Sequence, residues 1–431
     1  MSPAEFGRAL EELGLKRAFL IVDAGSGVLT ASHPALEPLA RWVSESSADY
    51  NRHEAVFLQV AEGSGALMGA FLHRTVRGQG QGGLRFWPYD TLGGFLTDGL
   101  RLAQGMGRKN ALAGLWWGGG KGVIARPPDA PFRDEEFRQQ LYAEYGAFIS
   151  SLDGCYVTAE DVGTGPDDMA SVFRATRFVT CVPHGVGGSG NPSQSTARGV
   201  VSAMEAALDF AGQGDLSGKT IAMQGIGNVG GFMCEELLAR GVARVIACDI
   251  SERNVESAKK RFSGSQLELR QVSKGDNGIL SEPCDILAPN ALGGILDEST
   301  ISTVRARIVC GAANNQLFDD KSDDRRLAER GVLFVPDFVA NRMGIVNCAN
   351  EQYGRLDDDP AITRHFSRDW DNSVFCVTQR ILRMAENEGT TPTVAANRLA
   401  DRLSEEPHPI WGHRAFDIIQ GLKAKGWQNP T

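Results

Sequence analysis

Thr220-Ile221-Ala222-Met223-Gln224-Gly225-Ile226-Gly227-Asn228-Val229-Gly230 is the stretch on which the reading of this chain turns. A short apolar run with strand character enters a loop of the form GxGxxG, and a helix-compatible segment leaves it. Alone, such a loop is a weak signal in a chain with 51 glycines. Its setting makes it specific. A strand precedes it, a helix follows, and Asp249 ends the next strand-like run about 20 residues further on. The three glycines then have different roles. Gly225 makes the tight turn, Gly227 lets backbone approach a pyrophosphate, and Gly230 lets helix and strand pack closely. The N–H groups of the helix start, from Asn228 and Val229, face the phosphates. Asp249 is placed to accept from ribose hydroxyls and would repel a 2′-phosphate, so NAD is expected over NADP.

Downstream, the apolar runs Val242–Cys248, Leu267–Val272, Cys284–Ala288, Ile308–Cys310 and Val332–Val335 continue the pattern. Most are separated by enough chain for a crossover helix, as buried parallel strands require. Upstream, the glycine-rich segment Gly185–Ser193 reads as a loop and a hinge. A helix is expected just after it, with Ser195 as a cap and Val200, Met204, Ala207, Leu208 and Ala211 on one face. Earlier still, Phe57–Val60 and Ala66–Arg74 read as strands, and Leu92–Lys109 and Glu135–Leu152 as helices. Gly118-Gly119-Gly120 is expected to break regular structure before a strand at Val123-Ile124. Ala361–Leu403 reads as mostly helical.

A chain of 431 residues exceeds the size at which one core usually stops growing, so two domains are expected. Its 42% hydrophobic and 23% charged residues are an ordinary globular balance. A net charge of −9 argues against general affinity for nucleic acid or anionic membrane. No apolar run approaches the roughly 20 residues of a membrane span. The first apolar run, Ala18–Val22, follows Glu11 and Glu12 rather than the basic start of a secretory signal. The eight cysteines form no CxxC pair and no metal-spaced cluster with histidine. They read as reduced, buried thiols in a cytoplasmic protein, with no metal site.

Three stretches in the first half look chemical: Lys109 at the end of an amphipathic helix, Lys121 after the glycine triplet, and Asp161 in AEDVGTG. Singly, each lysine reads as a solvated charge and the aspartate as a turn. Together they suggest a pocket, because the glycines permit close approach of backbone to a ligand. Two amines sharing a site raise the cost of charging both, and burial adds to it. One is then available as a base near neutral pH, with a carboxylate beside it to shuttle protons.

The chain resembles the glutamate/leucine/phenylalanine/valine dehydrogenases. The likeness runs from about Gly78 to Gly354 and resumes at Gly389–Leu403 (GTTPTVAANRLADRL). It is carried by GGLRFWPYDTL, GMGRKNALAGLWWGGGKG, TAEDVGTG, GSGNPSQSTARGV, QGIGNVGG, CDILAPNALGGIL, GAANNQL and PDFVANRMGIVN, in that order. The resemblance implies an α/β protein with an N-terminal α/β domain for substrate binding and oligomerisation (1–194). A Rossmann NAD-binding domain (195–346) follows, and then a helical segment (347–431) that packs back on the first domain. It implies a homo-oligomer. It also implies roles: Lys109 pairs with the substrate α-carboxylate, Lys121 polarises the α-carbon centre and activates water, and Asp161 handles the amino group's protons. Asn341 lies between nicotinamide and substrate, and Thr196 holds the carboxamide. Gly82 joins the substrate set, and Asn290 and Asn314 the cofactor set. The implied reaction moves hydride from an L-amino acid to NAD, and water then releases ammonia to leave a 2-oxo acid.

Departures from the family bear on the substrate. Glutamate-using relatives have a lysine where this chain has Gln81, a glutamine at Met106 and a serine at Cys348. A glutamate carboxylate would lie unpaired at such a site, at a cost of several kcal/mol. An apolar side-chain pocket from Met106, Ala159, Ile345 and Cys348 is expected, with Gln81 its one polar group. Branched aliphatic and aromatic substrates both fit. Asn341-Arg342-Met343-Gly344 stands where the family reads Asn-Ala-Gly-Gly. Either the two large residues point away, or Arg342 replaces the missing lysine and makes a glutamate-type enzyme. The remaining alternative is a non-catalytic NAD sensor on the same scaffold. Trp116-Trp117, also unusual, reads as packing.

Overall fold

The structure is a computed structural model that describes residues 1–47, 49–354, 356 and 358–429. The chain divides into two compact units. The first comprises Met1–Asn191, Cys348–Arg355 and Ala400–Thr431, and the second Pro192–Asn347 and Leu356–Leu399. The C-terminal run is thus shared between units, where the sequence suggested that all of it packs on the first. Helical periodicity locates an apolar face but does not name the surface that covers it.

The first unit is built on a mixed sheet of strands β1 (Arg17–Val22), β2 (Leu29–Ala31), β3 (His53–Val60), β4 (Leu67–His73), β5 (Gly80–Trp87), β6 (Gly118–Ala125) and β7 (Tyr156–Glu160). Their order is β2-β1-β3-β4-β6-β5-β7. β5 runs parallel to both β6 and β7, and the remaining pairs are antiparallel. One face carries Phe71 and Val123 against Phe95, Leu100 and Ala103 of the Leu92–Leu112 helix. The other carries Leu72 and Ile124 against Tyr145 and Phe148 of the Glu135–Ser150 helix.

Gly118-Gly119-Gly120 lies inside β6 instead of breaking it. The reason is crowding. A Cβ on Gly119 would come within 2.3 Å of the Ala103 carbonyl oxygen on the helix above, and one on Gly120 within 2.7 Å of the Tyr156 ring below. Glycine weakens a strand by entropy, but here only hydrogen fits between the layers.

The second unit holds six parallel strands, β8 (Thr220–Gln224), β9 (Arg244–Asp249), β10 (Leu267–Gln271), β11 (Ile286–Pro289), β12 (Ile308–Val309) and β13 (Leu333–Phe334). Their order, β10-β9-β8-β11-β12-β13, is the doubly wound arrangement in which the first strand stands beside the fourth. The switch point lies between β8 and β11. The helix that enters this unit starts at Ser193, so Ser195 lies within it rather than capping it; Pro192 holds the cap position and makes no side-chain cap bond.

Cys181 and Cys348 form a disulfide, with Cα atoms 5.5 Å apart. The expectation that all eight thiols are reduced is corrected for this pair, and Cys348 presents no free thiol. Their separation of 167 residues leaves no local motif to read. Cys155, Cys234, Cys248 and Cys310 are free and buried; Cys284 and Cys376 are free and partly exposed. Among the described residues no helix is long and apolar enough to cross a membrane.

Candidate active site

In the first unit, register places the candidate residues. Lys121 lies two residues before Val123 on β6 and shares its face, toward the Leu92–Leu112 helix. Gln81 pairs with Gly119 and Arg85 with Val123, so both point the same way from β5. Ala159 pairs with Gly83 on that face too, and Asp161 follows directly after β7. Lys109 is in the last turn of the helix. Met106, one turn earlier, approaches Gly82 so closely that a Cβ there would lie 3.0 Å from Met106 Cγ and 1.8 Å from the Gly120 carbonyl oxygen. Gly82 is therefore a close-packing position.

Lys121 Nζ donates to Asp161 Oδ2 at 2.7 Å, and the lysine side chain is only 4% exposed. Burial lowers the amine's pKa below its ordinary value, Asp161 pulls the other way, and Arg85 adds to the lowering. For Asp161, burial opposes ionisation, but Lys121 and Arg85 outweigh it and hold the carboxyl at about 2. Glu160 beside it is pushed up to about 7 by burial, then by Asp161 and Asp168.

Sequence reasoning missed Arg85, Asp98 and Tyr89. Arg85 Nε donates to the same Asp161 Oδ2 at 3.2 Å, and its Nη1 donates to both oxygens of Asp98 at 3.0 Å. The Tyr89 hydroxyl donates to Asp98 at 2.5 Å. All three lie at or near the GGLRFWPYDTL motif, yet only the fold brings Asp98 round to Arg85.

Gln81 is fully buried, and neither its amide oxygen nor its nitrogen has a partner in the protein. Buried amides are seldom left so, because each unmade hydrogen bond costs about 1–3 kcal/mol. Such a group is matched to a ligand or an ordered water. Cys348 lies in the first unit, bonded to Cys181, whose N–H donates to Glu351 Oε2 at 2.8 Å; Ser189 donates to the same oxygen from its N–H at 2.7 Å and its hydroxyl at 2.6 Å.

The second unit carries the other candidates, most of them past the carboxyl ends of its strands, with Thr196 and Ile345 on helices. Gly225 adopts φ +95°, a conformation that glycine favours. A Cβ on Gly230 would lie 2.3 Å from the Gly225 carbonyl oxygen, so helix and strand need a glycine there. At Gly227 a Cβ would meet Asn254 Nδ2 at 3.7 Å, an ordinary van der Waals contact, so this turn is far less crowded than those at Gly225 and Gly230. The Asn228–Ala239 helix starts here, with Val229 in its first turn. Asp249 Oδ2 accepts from Ile226 N–H (3.0 Å) and Asn254 Nδ2 (3.1 Å), so the acid at the end of β9 is locked against the glycine loop. Asn290, after β11, accepts from Ala312 N–H at 2.9 Å, and Asn341 Nδ2 donates to Asn314 Oδ1 at 2.8 Å. Asn290 Nδ2 and Asn341 Oδ1 are buried without partners. An uncrowded glycine turn at a helix start, and orphaned amide atoms on Asn290, just past β11 at the switch point, and on Asn341, fit a dinucleotide. Thr196 spends its hydroxyl on the Pro192 carbonyl (2.9 Å), and Ile345 is buried in the Met343–Asn350 helix.

The two unusual large residues turn into the second unit's interior. Arg342 is fully buried and donates to the Asn372 carbonyl, while Met343 fills the space left by Gly199. In the first unit Trp116 stacks under the Arg77 guanidinium at 4.3 Å and Trp117 is buried.

Residues 187–404 match the family described as Glutamate/Leucine/Phenylalanine/Valine dehydrogenase, and residues 58–178 its dimerisation domain. The chain is 39% identical over 353 residues to the leucine dehydrogenase of Bacillus cereus, covering 82% of this chain and 90% of that protein. It is 38% identical over 363 residues to the valine dehydrogenase of Streptomyces coelicolor, covering 84% and 95%. Among solved structures, L-tryptophan dehydrogenase from Nostoc punctiforme superposes with a TM-score of 0.66 at 32% identity, covering 82% of this chain and 96% of that one. By these matches the chain belongs to the glutamate/leucine/phenylalanine/valine dehydrogenase family.

Proposed function

We propose that this protein catalyses the NAD-dependent oxidative deamination of an L-amino acid with an apolar side chain, and the reverse reductive amination. The observation that carries the reading is the buried contact between Lys121 and Asp161, 2.7 Å long, on the sheet face that also holds Gln81 and Ala159. In this reading Lys109 binds the α-carboxylate. Lys121, whose burial favours the uncharged amine, polarises the α-carbon centre and activates the attacking water. Asp161 takes and returns the amino group's protons. A bound nicotinamide supplies the acceptor for the α-hydrogen and its electron pair.

The apolar preference has three supports. Gln81 is neutral where a side-chain carboxylate would need a cation. Arg342, a cation that could otherwise take that role, donates to the Asn372 carbonyl in the second unit. The relatives at 38–39% identity are a leucine and a valine dehydrogenase. NAD over NADP is favoured by Asp249 beside the loop, since a carboxylate repels a 2′-phosphate. Assembly into a homo-oligomer is favoured by the match of residues 58–178 to a dimerisation domain. The six free thiols favour a reducing cytoplasm, and the Cys181–Cys348 bond does not.

The test is NADH formation across the twenty amino acids, repeated with NADP. Leucine, valine, isoleucine, methionine or phenylalanine should give the highest kcat/KM, and Asp249→Ser should narrow the gap between cofactors. Glutamate as the best substrate would overturn the substrate class. Equal efficiency with both cofactors would overturn the role of Asp249.

A further inference from the structure

We infer that Arg85, with Asp98 behind it, is a positioning residue that decides which group in the active site carries the removable proton. The inference rests on the amino-acid dehydrogenase reading and deepens it. Lys121, Asp161, Arg85 and Asp98 form one unbroken chain of alternating charge, closed by the Tyr89 hydroxyl. The charges acting on Lys121 are Asp161 after β7, Arg85 on β5, and Asp98 on the Leu92–Leu112 helix, while β4, its other strand neighbour, pairs Phe71 with it. Lys109 lies on the same face of that helix as Asp98, about three turns on.

Arg85 and Lys121 share one oxygen of Asp161. A guanidinium keeps its charge at any working pH, whereas a buried ammonium sheds its own more easily. With Arg85 present, Asp161 stays ionised even when Lys121 gives up its proton, so the carboxylate and the neutral amine coexist. Without Arg85, the last proton would be shared between Lys121 and Asp161, and neither would be reliably free to act. Asp98 fixes the fork of Arg85 through Nη1, leaving Nε aimed at Asp161, and Tyr89 holds Asp98. The side chains of Arg85 and Asp98 are about one-fifth exposed, so the chain is only weakly screened.

The experiment is the pH dependence of kcat/KM for deamination of the best amino acid in wild type, Arg85→Gln, Arg85→Lys and Asp98→Asn. Arg85→Gln removes a positive charge from beside both groups, so its ascending limb should move to higher pH. Activity at the optimum should fall up to about 100-fold through lost alignment. Asp98→Asn removes a negative charge, so its limb should move to lower pH. Arg85→Lys should keep the wild-type limb while losing part of the rate. Limbs that stay in place in both charge-removing variants, or move the same way, would overturn the inference. Trace reductive methylation of Lys121 with formaldehyde, followed by peptide mass spectrometry across pH, reads the same ionisation without turnover. The midpoint should rise in Arg85→Gln and fall in Asp98→Asn, and an unchanged midpoint in both overturns the inference. If Arg85→Gln fails to fold, Asp98→Asn alone decides by its direction. A wild type inactive on every amino acid would sink the dehydrogenase reading instead, and the labelling would still decide the role of Arg85.

Discussion

At the scale of single residues, the lysine–aspartate pair and Gln81 bear the greatest consequence for chemistry and selection. Asp161→Asn and Lys121→Ala should each lower kcat by about 10²–10⁴-fold, the usual worth of a general acid or base, and leave NADH binding intact. Lys109→Ala should raise KM for the amino acid at least as much as it lowers kcat. Steady-state kinetics with a fluorescence titration of NADH separates these effects; near-full activity of Asp161→Asn would mean that another group moves the proton. Gln81→Lys places a cation where glutamate-using relatives keep one, and should shift kcat/KM toward glutamate. The shift should be partial, since Met106 still offers no polar partner. A wild type that already prefers glutamate would contradict it. Lys121 and Asp161 could be singled out from spacing because they sit in short glycine-flanked motifs. Arg85 could not, because an arginine in a strand-like run gives no hint that Asp98, on the following helix, will meet it.

At the scale of elements, the chain was most legible where one local pattern determines one local structure. The strand, turn and helix start around Gly225–Gly230, with Asp249 at the end of β9, were legible because these pieces are contiguous and their contacts are mostly backbone. The glycine triplet misled because the demand for it comes from outside β6, from Ala103 above and Tyr156 below. Crowding of this kind gives two alanine substitutions opposite effects. Gly119→Ala drives a methyl into backbone atoms of the helix and of β4, and should destabilise the fold by about 1–3 kcal/mol or more. Gly105→Ala, in the middle of the same helix with no outside atom within 4 Å, should instead stabilise by about 0.5–1 kcal/mol. Urea denaturation of the two variants checks the pair, and equal effects would mean that the glycines of β6 are not there for close packing. The Cys181–Cys348 bond and the division of the C-terminal helices were illegible for a related reason. Each depends on which distant surface a segment meets.

At the scale of the whole molecule, buried histidines tie stability to pH. His53 is fully buried, donates from Nε2 to the Leu100 carbonyl at 2.8 Å, and accepts the Asn51 N–H at Nδ1. That pairing fixes it as the neutral tautomer, and burial pushes its pKa down to about 4. His73, its ring 4.8 Å away, is buried too and lowered well below the ordinary value, by burial first and then by His53. In the second unit burial takes His365 down to about 3. In the unfolded chain each imidazole takes a proton near pH 6.5, while the folded protein refuses it until the pH is far lower. The unfolded state therefore binds more protons throughout that interval, so stability is complete above about pH 6.5 and falls as pH drops toward 4. Each tenfold loss of proton affinity on folding is worth about 1.4 kcal/mol. Glu160 works in the opposite sense: its folded pKa is raised to about 7, so it gains stability as pH falls from 7 toward 4.5. One such carboxyl offsets about one histidine and leaves the others. Asp161, held at about 2, gives its full contribution above about pH 4 and loses it only as pH falls from 4 toward 2, outside this window. Urea midpoints at pH 7.5, 6 and 5 should thus decline steadily, and His53→Gln, which cannot titrate, should make the decline shallower even if it lowers stability at pH 7.5. A wild-type midpoint that is flat from pH 7.5 to 5 would mean that these rings already carry protons in the fold, or reach water through transient openings.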